Sequence, residues 1–183
     1  MLTHGAGSNC RSPLLIAAAD AFVAAGVHVL LFDLPFRQRR AFGPPFPVHA
    51  SEDRNALKKA VAEMRSIDAA RIFLGGHSYG GRQASILAAE GGPAVNALLL
   101  LSYPLHPPKK PQDLRTGHFP DLRTPCLFVH GTHDAFGTTE ELEEAMQLIP
   151  AATDLVTIPG VGHELARGRF DWRDIVQRLR SLT

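Results

Sequence analysis

Short runs of Val, Leu, Ile and Phe alternate with longer segments of helical period along this chain, and this alternation restricts the fold more than any other feature of the sequence. Most of the short runs are apolar throughout, as expected of strands that are buried on both faces of a sheet. They cover residues 27–32, 71–74, 97–102, 126–130 and 154–158. The pattern therefore predicts the α/β class, with a mostly parallel sheet and helices on both of its faces.

Start and stop signals mark the helices between these runs. Ser12 and Pro13 predict a helix start, and Gly26 predicts its end. Thr138 and Glu141 have the spacing of a capping box, which predicts another helix start. Further helices are predicted over residues 51–67, 82–90 and 171–182.

Two proline-rich segments, residues 34–48 and 104–125, fit neither template, and each directly follows a predicted strand. Loops at the carboxyl ends of parallel strands form the rim of the ligand crevice, so both segments are candidate walls of a substrate site. The alternative is that they are simple solvated connections. The second segment is too short and too rich in proline to form a helical cap, so we expect no large cap.

Composition predicts one domain, residues 1–183, and leaves the oligomeric state open. The net charge of +1 argues against nucleic acid as a partner, and no apolar run approaches the roughly 18 residues that span a bilayer. The sparse cysteines, Cys10 and Cys126, favour a reducing compartment, so a cytoplasmic location is expected. Residues 1–3 look like the end of a strand, which predicts that the native chain begins upstream of Met1 and that the first strands of the fold are missing here.

The motif G-x-S-x-G is present as Gly76-His77-Ser78-Tyr79-Gly80, between an apolar strand and a helical segment. A serine on such a turn has a strained backbone, and the helix packs so close to the strand that both flanking positions must lack bulk. This context predicts that Ser78 is a nucleophile. The alternative is an inert serine in a glycine-rich turn.

A serine hydroxyl needs a base and a third group that orients the base. Asp134 and His163 each follow a predicted strand, in the chain order Ser, acid, His that this motif requires. The side chains of His77 and His133 are expected to point away. A metal site built from His130, His133 and Asp134 is the alternative, but zinc ligands usually have a tighter spacing.

Stabilisation of a tetrahedral oxyanion requires about two backbone N–H groups. Tyr79 follows the proposed nucleophile and should supply one of them. His4-Gly5-Ala6-Gly7 follows an early strand, and we expect Ala6 to supply the other. This glycine-rich loop could also be a tight turn, or less readily a phosphate cradle, since no lysine follows at the spacing of a P-loop.

At this point the chain resembles α/β hydrolases of the dienelactone-hydrolase-like branch, in particular the small hydrolases related to the testis-expressed Tex30 and KANSL3-type proteins. The matching segments are THGAG at 3–7, FDLPFR at 32–37, GGHSYGGR at 75–82, SYPLHPP at 102–108, HGTHDAFGT at 130–138 and GVGHE at 160–164. The resemblance implies the α/β-hydrolase fold, trimmed at its amino end, with Ser78, Asp134 and His163 as catalytic residues. Some members of this group have lost catalytic residues and serve as interaction proteins.

These features together predict a serine hydrolase that cleaves a small or medium carboxylic ester or thioester through an acyl-serine intermediate, without a cofactor. The alternatives are a non-catalytic interaction protein with the same fold, and acyl transfer to an acceptor other than water. A substrate carboxylate could be attracted by cationic side chains of the two proline-rich segments, although a solvated rim is the simpler interpretation. These side chains are Arg37, Arg39, Arg40 and Lys109.

Overall fold

Six parallel strands form the centre of the computed structural model, which describes residues 1–67 and 70–183. The strands are β1 (Leu2–Thr3), β2 (Leu31–Phe32), β3 (Phe73–His77), β4 (Ala97–Leu101), β5 (Cys126–Gly131) and β6 (Thr153–Ile158). Their spatial order is β2-β1-β3-β4-β5-β6, and every neighbouring pair is parallel. The direction of winding reverses between β1 and β3, which is where an open α/β sheet forms its ligand crevice.

In the described residues, two short 3₁₀ helices cover Pro47–His49 and Phe119–Asp121, and six α-helices pack around the sheet. They are α1 (Pro13–Ala24), α2 (Pro35–Arg39), α3 (Ala50–Ser66), α4 (Tyr79–Ala89), α5 (Thr139–Met146) and α6 (Trp172–Ser181). Helices α1 and α6 pack on one face, and α3, α4 and α5 pack on the other. Successive leucines of β4 belong alternately to the two cores, with Leu98 and Leu100 in one and Leu99 and Leu101 in the other. This double burial explains why the strand is apolar at every position.

The predicted fold class is confirmed, and several boundaries differ from the prediction. The run at 27–32 forms a strand only at Leu31–Phe32, because this edge strand pairs with the two residues of β1 alone. The run at 71–74 is displaced to Phe73–His77, where Gly75 and Gly76 pair with Leu99 and Leu100. The apolar pattern did not predict this part of the strand, because glycine has no apolar side chain.

The structure confirms the predicted capping box but places a short helix in the first proline-rich segment. The capping box is confirmed: Thr138 Oγ1 accepts from the Glu141 N–H at 3.2 Å, and Glu141 Oε2 accepts from the Thr138 N–H at 2.8 Å. Residues 34–48 do contain the short helix α2, so the expectation of an irregular segment was wrong there. In the described part of the chain, no helix has the length and apolar character needed to cross a bilayer.

Candidate active site

Ser78 stands between β3 and α4, at the carboxyl edge of the sheet. Its φ of 49° and ψ of −115° are unusual for a residue with a side chain, and this strained turn presents the hydroxyl beyond the end of the strand. A Cβ at Gly76 would lie 2.5 Å from the Thr3 carbonyl oxygen, and one at Gly80 would lie 2.6 Å from that of His4. Glycine at both positions therefore lets α4 pack directly against β1.

The loops after β5 and β6 bring two further side chains to Ser78. His163 Nε2 lies 2.7 Å from Ser78 Oγ, so the hydroxyl can donate to the ring. On the other side of the ring, His163 Nδ1 is 2.8 Å from Asp134 Oδ2 and 3.0 Å from Oδ1. The Asp134 side chain has no exposed surface, and the His163 side chain is 13% exposed. The predicted nucleophile, base and orienting acid are therefore close enough to pass a proton from Ser78 to His163.

Phe136 and His130, which the sequence did not predict to support the triad, hold the imidazole and the carboxylate in place. The Phe136 ring stacks on His163 with centroids 4.0 Å apart, and the Phe136 N–H donates to Asp134 Oδ1 at 2.8 Å. His130 donates from Nε2 to the Gly137 carbonyl at 2.8 Å, which fastens the loop that carries Asp134. Only the stretch HGTHDAFGT that contains these residues could have indicated such a role.

His77 does not point away from the site, and His130 also lies beside it, whereas His133 is exposed. His77 is buried and donates from Nε2 to the His163 carbonyl at 2.8 Å, and burial lowers its pKa, which keeps the ring neutral. His130 Nδ1 lies 3.8 Å from Asp134 Oδ2. The expectation for His77 was wrong, because the loop that carries His163 folds back over the turn. Within residues 1–67 and 70–183, no group of three metal-ligating side chains lies close enough together to hold a metal ion.

The loop after β1 lies beside Ser78, and Ala6 and Tyr79 line one cavity together with Ser78 and His163. The geometry of the loop is fixed by His4, whose Nδ1 donates to the Gly5 carbonyl at 2.9 Å while its Nε2 accepts from the Leu34 N–H at 3.1 Å. Burial lowers the pKa of His4, which favours this neutral tautomer. Ala6 and Tyr79 therefore stay the candidates for the two oxyanion donors, since both lie at the cavity that contains the proposed nucleophile.

Arg37 clamps the same loop. Its buried guanidinium donates to four carbonyl oxygens: Ser8 at 2.8 Å, Ala6 at 2.7 Å, Arg40 at 3.1 Å and Gly43 at 3.1 Å. These bonds tie the loop after β1 to the first proline-rich segment. The Arg37 guanidinium is thus engaged by backbone carbonyl groups and is not free to bind a substrate. The sequence had suggested instead that Arg37 could attract a substrate carboxylate.

Asp53 holds the Tyr79 side chain in place through a hydrogen bond with its hydroxyl. This buried aspartate of α3 accepts from the Tyr79 hydroxyl at 2.8 Å and from the Phe36 N–H at 3.2 Å. Burial and the Asp53 carboxylate raise the pKa of Tyr79, so its phenol stays protonated and keeps this bond. The start of α4, with the N–H group of Tyr79, is held in one position by this contact.

The cavity in front of Ser78 has a volume of about 610 Å³. Its apolar walls come from the prolines of the two proline-rich segments, Pro44, Pro45, Pro47 and Pro104, and from Ile86 of α4. Both segments therefore line the site, as expected from their place after strands. A volume of this size suits a small organic molecule.

Comparisons with known proteins agree with the fold. Residues 1–180 match the family described as "Alpha/beta hydrolase domain". A dienelactone hydrolase from Anabaena variabilis ATCC 29413 is 22% identical, with a TM-score of 0.73 over 99% of this chain and 82% of that one. Est1E from Butyrivibrio proteoclasticus, solved with ferulic acid bound, is 18% identical, with a TM-score of 0.75 over 98% of this chain and 85% of that one. An alpha-beta serine hydrolase homologue from Coxiella burnetii is 16% identical, with a TM-score of 0.73 over 100% of this chain and 84% of that one.

Proposed function

The chain belongs to the alpha/beta hydrolase domain family, and on this premise we propose that it is a serine hydrolase of small or medium carboxylic esters or thioesters. One observation carries the proposal: Ser78 Oγ lies 2.7 Å from His163 Nε2, and His163 Nδ1 lies 2.8 Å from Asp134 Oδ2. A neutral serine hydroxyl has little nucleophilicity until a base in this position removes its proton.

In the first half-reaction, Ser78 Oγ attacks the carbonyl carbon of the substrate while His163 Nε2 takes the hydroxyl proton. The carbonyl π electrons move to oxygen, and the backbone N–H groups of Ala6 and Tyr79 stabilise the resulting oxyanion. Asp134 accepts the Nδ1–H bond of His163 throughout and stabilises the imidazolium. When the tetrahedral intermediate collapses, the bond to the leaving group breaks and His163 gives its proton to that group.

The second half-reaction releases the acid. A water molecule gives a proton to His163 and attacks the acyl carbon, and the same two N–H groups stabilise the second oxyanion. Collapse breaks the bond from the acyl carbon to Ser78 Oγ, which recovers its proton from His163. This sequence needs no redox group, and every proton is exchanged through one imidazole.

The substrate class is inferred from the cavity and from the relatives. The two proline-rich segments contribute to the walls of the cavity and form no large helical cap among the described residues, which supports compact acyl groups rather than long lipid chains. One similar structure is named a dienelactone hydrolase, and another holds ferulic acid. Both names support a carboxylic acid derivative as the substrate. The resemblance to the Tex30 and KANSL3-type branch stays a prediction.

A fluorophosphonate probe tests the proposal directly, because it labels only a serine that has been activated as a nucleophile. We expect rapid labelling of the wild-type protein and none of Ser78→Ala. Ser181→Ala, which removes an exposed hydroxyl at the end of α6, is the matched control and should label like the wild type. Absence of labelling in the wild type, or equal labelling of Ser78→Ala, would reject hydrolysis and favour a non-catalytic role.

A further inference from the structure

One end of the cavity carries positive charge that the proposed reaction does not use. Arg54 of α3, Arg82 of α4 and Arg115 of the second proline-rich segment all line the cavity that contains Ser78. We refer to these three side chains as the cationic wall. Among the described residues that line the cavity, Glu164 is the one acidic side chain, and it is exposed and adjacent to His163.

Arg82 lies one helical turn beyond Ser78. The Arg82 N–H donates to the Ser78 carbonyl at 3.0 Å, which is the first hydrogen bond of α4. One turn of a helix advances by about 5.4 Å, so the backbones of the two residues are close together. Arg82 and Ser78 both line the cavity that would hold a substrate attached to Ser78.

Two N–H groups at the cationic wall have no acceptor. Gln83 is fully buried, and its Oε1 accepts from Arg54 Nη1 at 3.0 Å, but its Nε2 has no hydrogen-bond partner among the described residues. Arg82 Nε is likewise buried without a partner in the described part of the chain. Buried donors are normally paired, and an unpaired one is costly. An acceptor group of a bound substrate would give such a donor a partner.

The charges of the cationic wall are only partly neutralised. Arg54 Nε pairs with Glu90 at 3.0 Å. Within residues 1–67 and 70–183, no carboxylate oxygen lies within 4.0 Å of a nitrogen of Arg82 or Arg115. Arg115 contacts the Pro104 carbonyl at 3.3 Å instead.

The neighbours of Arg82 respond to its charge. His118 donates from Nε2 to Ser85 Oγ at 2.8 Å, and burial, assisted by the charge of Arg82, lowers the pKa of His118 to about 4. Burial and the charge of Arg82 also lower the pKa of Arg115. Positive charge is therefore concentrated at Arg82 and Arg115, for which the described residues supply no carboxylate partner.

We propose that the cationic wall is a binding site for an anionic group of the substrate, a carboxylate or a phosphate, with Arg82 and Arg115 as its charge partners and Gln83 Nε2 as an additional donor. Guanidinium groups bind such planar or tetrahedral oxyanions through paired hydrogen bonds. This inference rests on the proposed function, and it narrows the substrate to esters or thioesters that carry an anion close to the bond that is cleaved.

The anion belongs to the acyl part of the substrate. His163 must protonate the leaving group, so that group lies against His163 and its exposed neighbour Glu164, whose charge would repel an anion. The acyl group then extends along α4 from Ser78 toward Arg82. A short dicarboxylic acid esterified at one end has the required chemistry.

Three ethyl esters of similar length test this inference: monoethyl glutarate, ethyl 4-phosphonobutanoate and the neutral ethyl pentanoate. Released ethanol is measured, and kcat/KM is compared among the three. We expect at least one anionic ester to exceed the neutral ester by about 10- to 100-fold, since hydrogen bonds to charged groups contribute roughly 1.5–3 kcal/mol. Whichever anion is preferred identifies the group as a carboxylate or a phosphate.

Variants then assign the preference to the cationic wall. Arg82→Gln should lower the ratio of anionic to neutral kcat/KM by about tenfold or more, and Arg82→Lys, which keeps the charge but not the paired donors, should lower it less. Arg123→Gln is the matched control, because Arg123 is exposed on the same segment as Arg115 and does not line the cavity. Fluorophosphonate labelling of Arg82→Gln shows that the variant is folded and that Ser78 is still activated.

The outcomes separate this inference from the proposed function. A wild-type protein that labels at Ser78 but hydrolyses the neutral ester as fast as both anionic esters would overturn the anionic site and leave the hydrolase proposal standing. An unchanged ratio in a labelled Arg82→Gln variant would do the same. A preference for 4-acetoxybutanoate, whose carboxylate is on the alcohol side, over the acyl-side anions would overturn the assigned orientation. Failure of the wild type to label would overturn the proposed function itself.

Discussion

The Asp134 carboxylate has no solvent around it and contacts His163 Nδ1 through both oxygens, at 2.8 and 3.0 Å. A carboxylate in this position accepts only from an imidazole that is protonated at Nδ1, which leaves Nε2 free to take the proton of Ser78. One buried side chain therefore determines which nitrogen of His163 faces the proposed nucleophile.

Asp134→Asn tests this role. The amide can present N–H to Nδ1 and so favours the wrong tautomer of His163, and we expect kcat to fall on the order of 10⁴-fold while the fold is retained. Steady-state hydrolysis of a preferred ester measures the effect, and circular dichroism measures the fold. Asp121→Asn, at an exposed aspartate, is the control. A folded variant with kcat within tenfold of wild type would show that Asp134 does not orient the base.

Residue types and spacing were sufficient to predict that the side chains of Ser78, Asp134 and His163 lie together, because each follows a strand and the fold fixes their chain order. The supporting contacts could not be predicted. Arg37 reaches the carbonyls of Ala6 and Ser8, about thirty positions earlier in the chain, and no local pattern encodes such a contact. The cationic wall was missed for the same reason, since its three arginines come from separate segments.

At the scale of elements, the position of α4 against β1 depends on Gly80. The helix comes so close to the loop after β1 that a Cβ at Gly80 would lie 2.6 Å from the His4 carbonyl oxygen and 2.7 Å from Thr3 Cγ2. Backbone on one side and a packed side chain on the other leave no room for either atom to move. The helix itself must shift, and Ser78 and Tyr79 shift with it.

Gly80→Ala should therefore destabilise the protein by about 1–3 kcal/mol and slow fluorophosphonate labelling of Ser78. Urea denaturation measures the first effect, and the labelling rate of the folded protein measures the second. The control is Gly117→Ala, because a Cβ at Gly117 meets nothing within 4 Å. If Gly80→Ala matched the stability and labelling rate of Gly117→Ala, the close contact between helix and loop would have no functional importance.

Some strands and helices were predicted more accurately than others, and their burial and pairing explain the difference. Central strands such as β4 and β5 are buried on both faces and read as continuous apolar runs. The edge strand β2 is half-buried and lasts only as long as its partner β1, which the sequence of residues 27–32 does not reveal. Helix α2 begins at a proline directly after a strand, where composition alone indicates a loop.

At the scale of the whole molecule, three histidines of the described residues are held in the neutral form: His4, His77 and His118. Burial lowers the pKa of each, and that of His118 falls to about 4 from the ordinary value of 6.5. In the unfolded chain all three would take up a proton as pH falls through about 6.5. The unfolded state then binds more protons than the folded state, so the free energy of unfolding decreases toward acid.

We therefore expect stability to decline between about pH 6.5 and pH 4, before most carboxylates titrate. Urea denaturation midpoints at pH 7, 6, 5 and 4.5 measure this decline. His118→Gln, whose amide can still donate to Ser85 Oγ, should make the decline shallower, whereas His28→Gln, at an exposed histidine, should leave the slope as it is. Parallel curves for His118→Gln and the wild type would exclude His118 as a source of acid sensitivity.

Ser78 is the N-cap of α4 and Arg82 lies in the first turn of that helix, so the helix fixes the spacing between the two backbones. A loop can adjust to a longer or shorter molecule, but the spacing between two positions on a helix is set by its pitch. For any molecule that contacts both residues, α4 thus fixes the distance that the molecule must span. In a homologous series of substrates, the rate of hydrolysis would depend on the number of carbons between the ester and the anion. One chain length would be preferred over the next shorter and the next longer one.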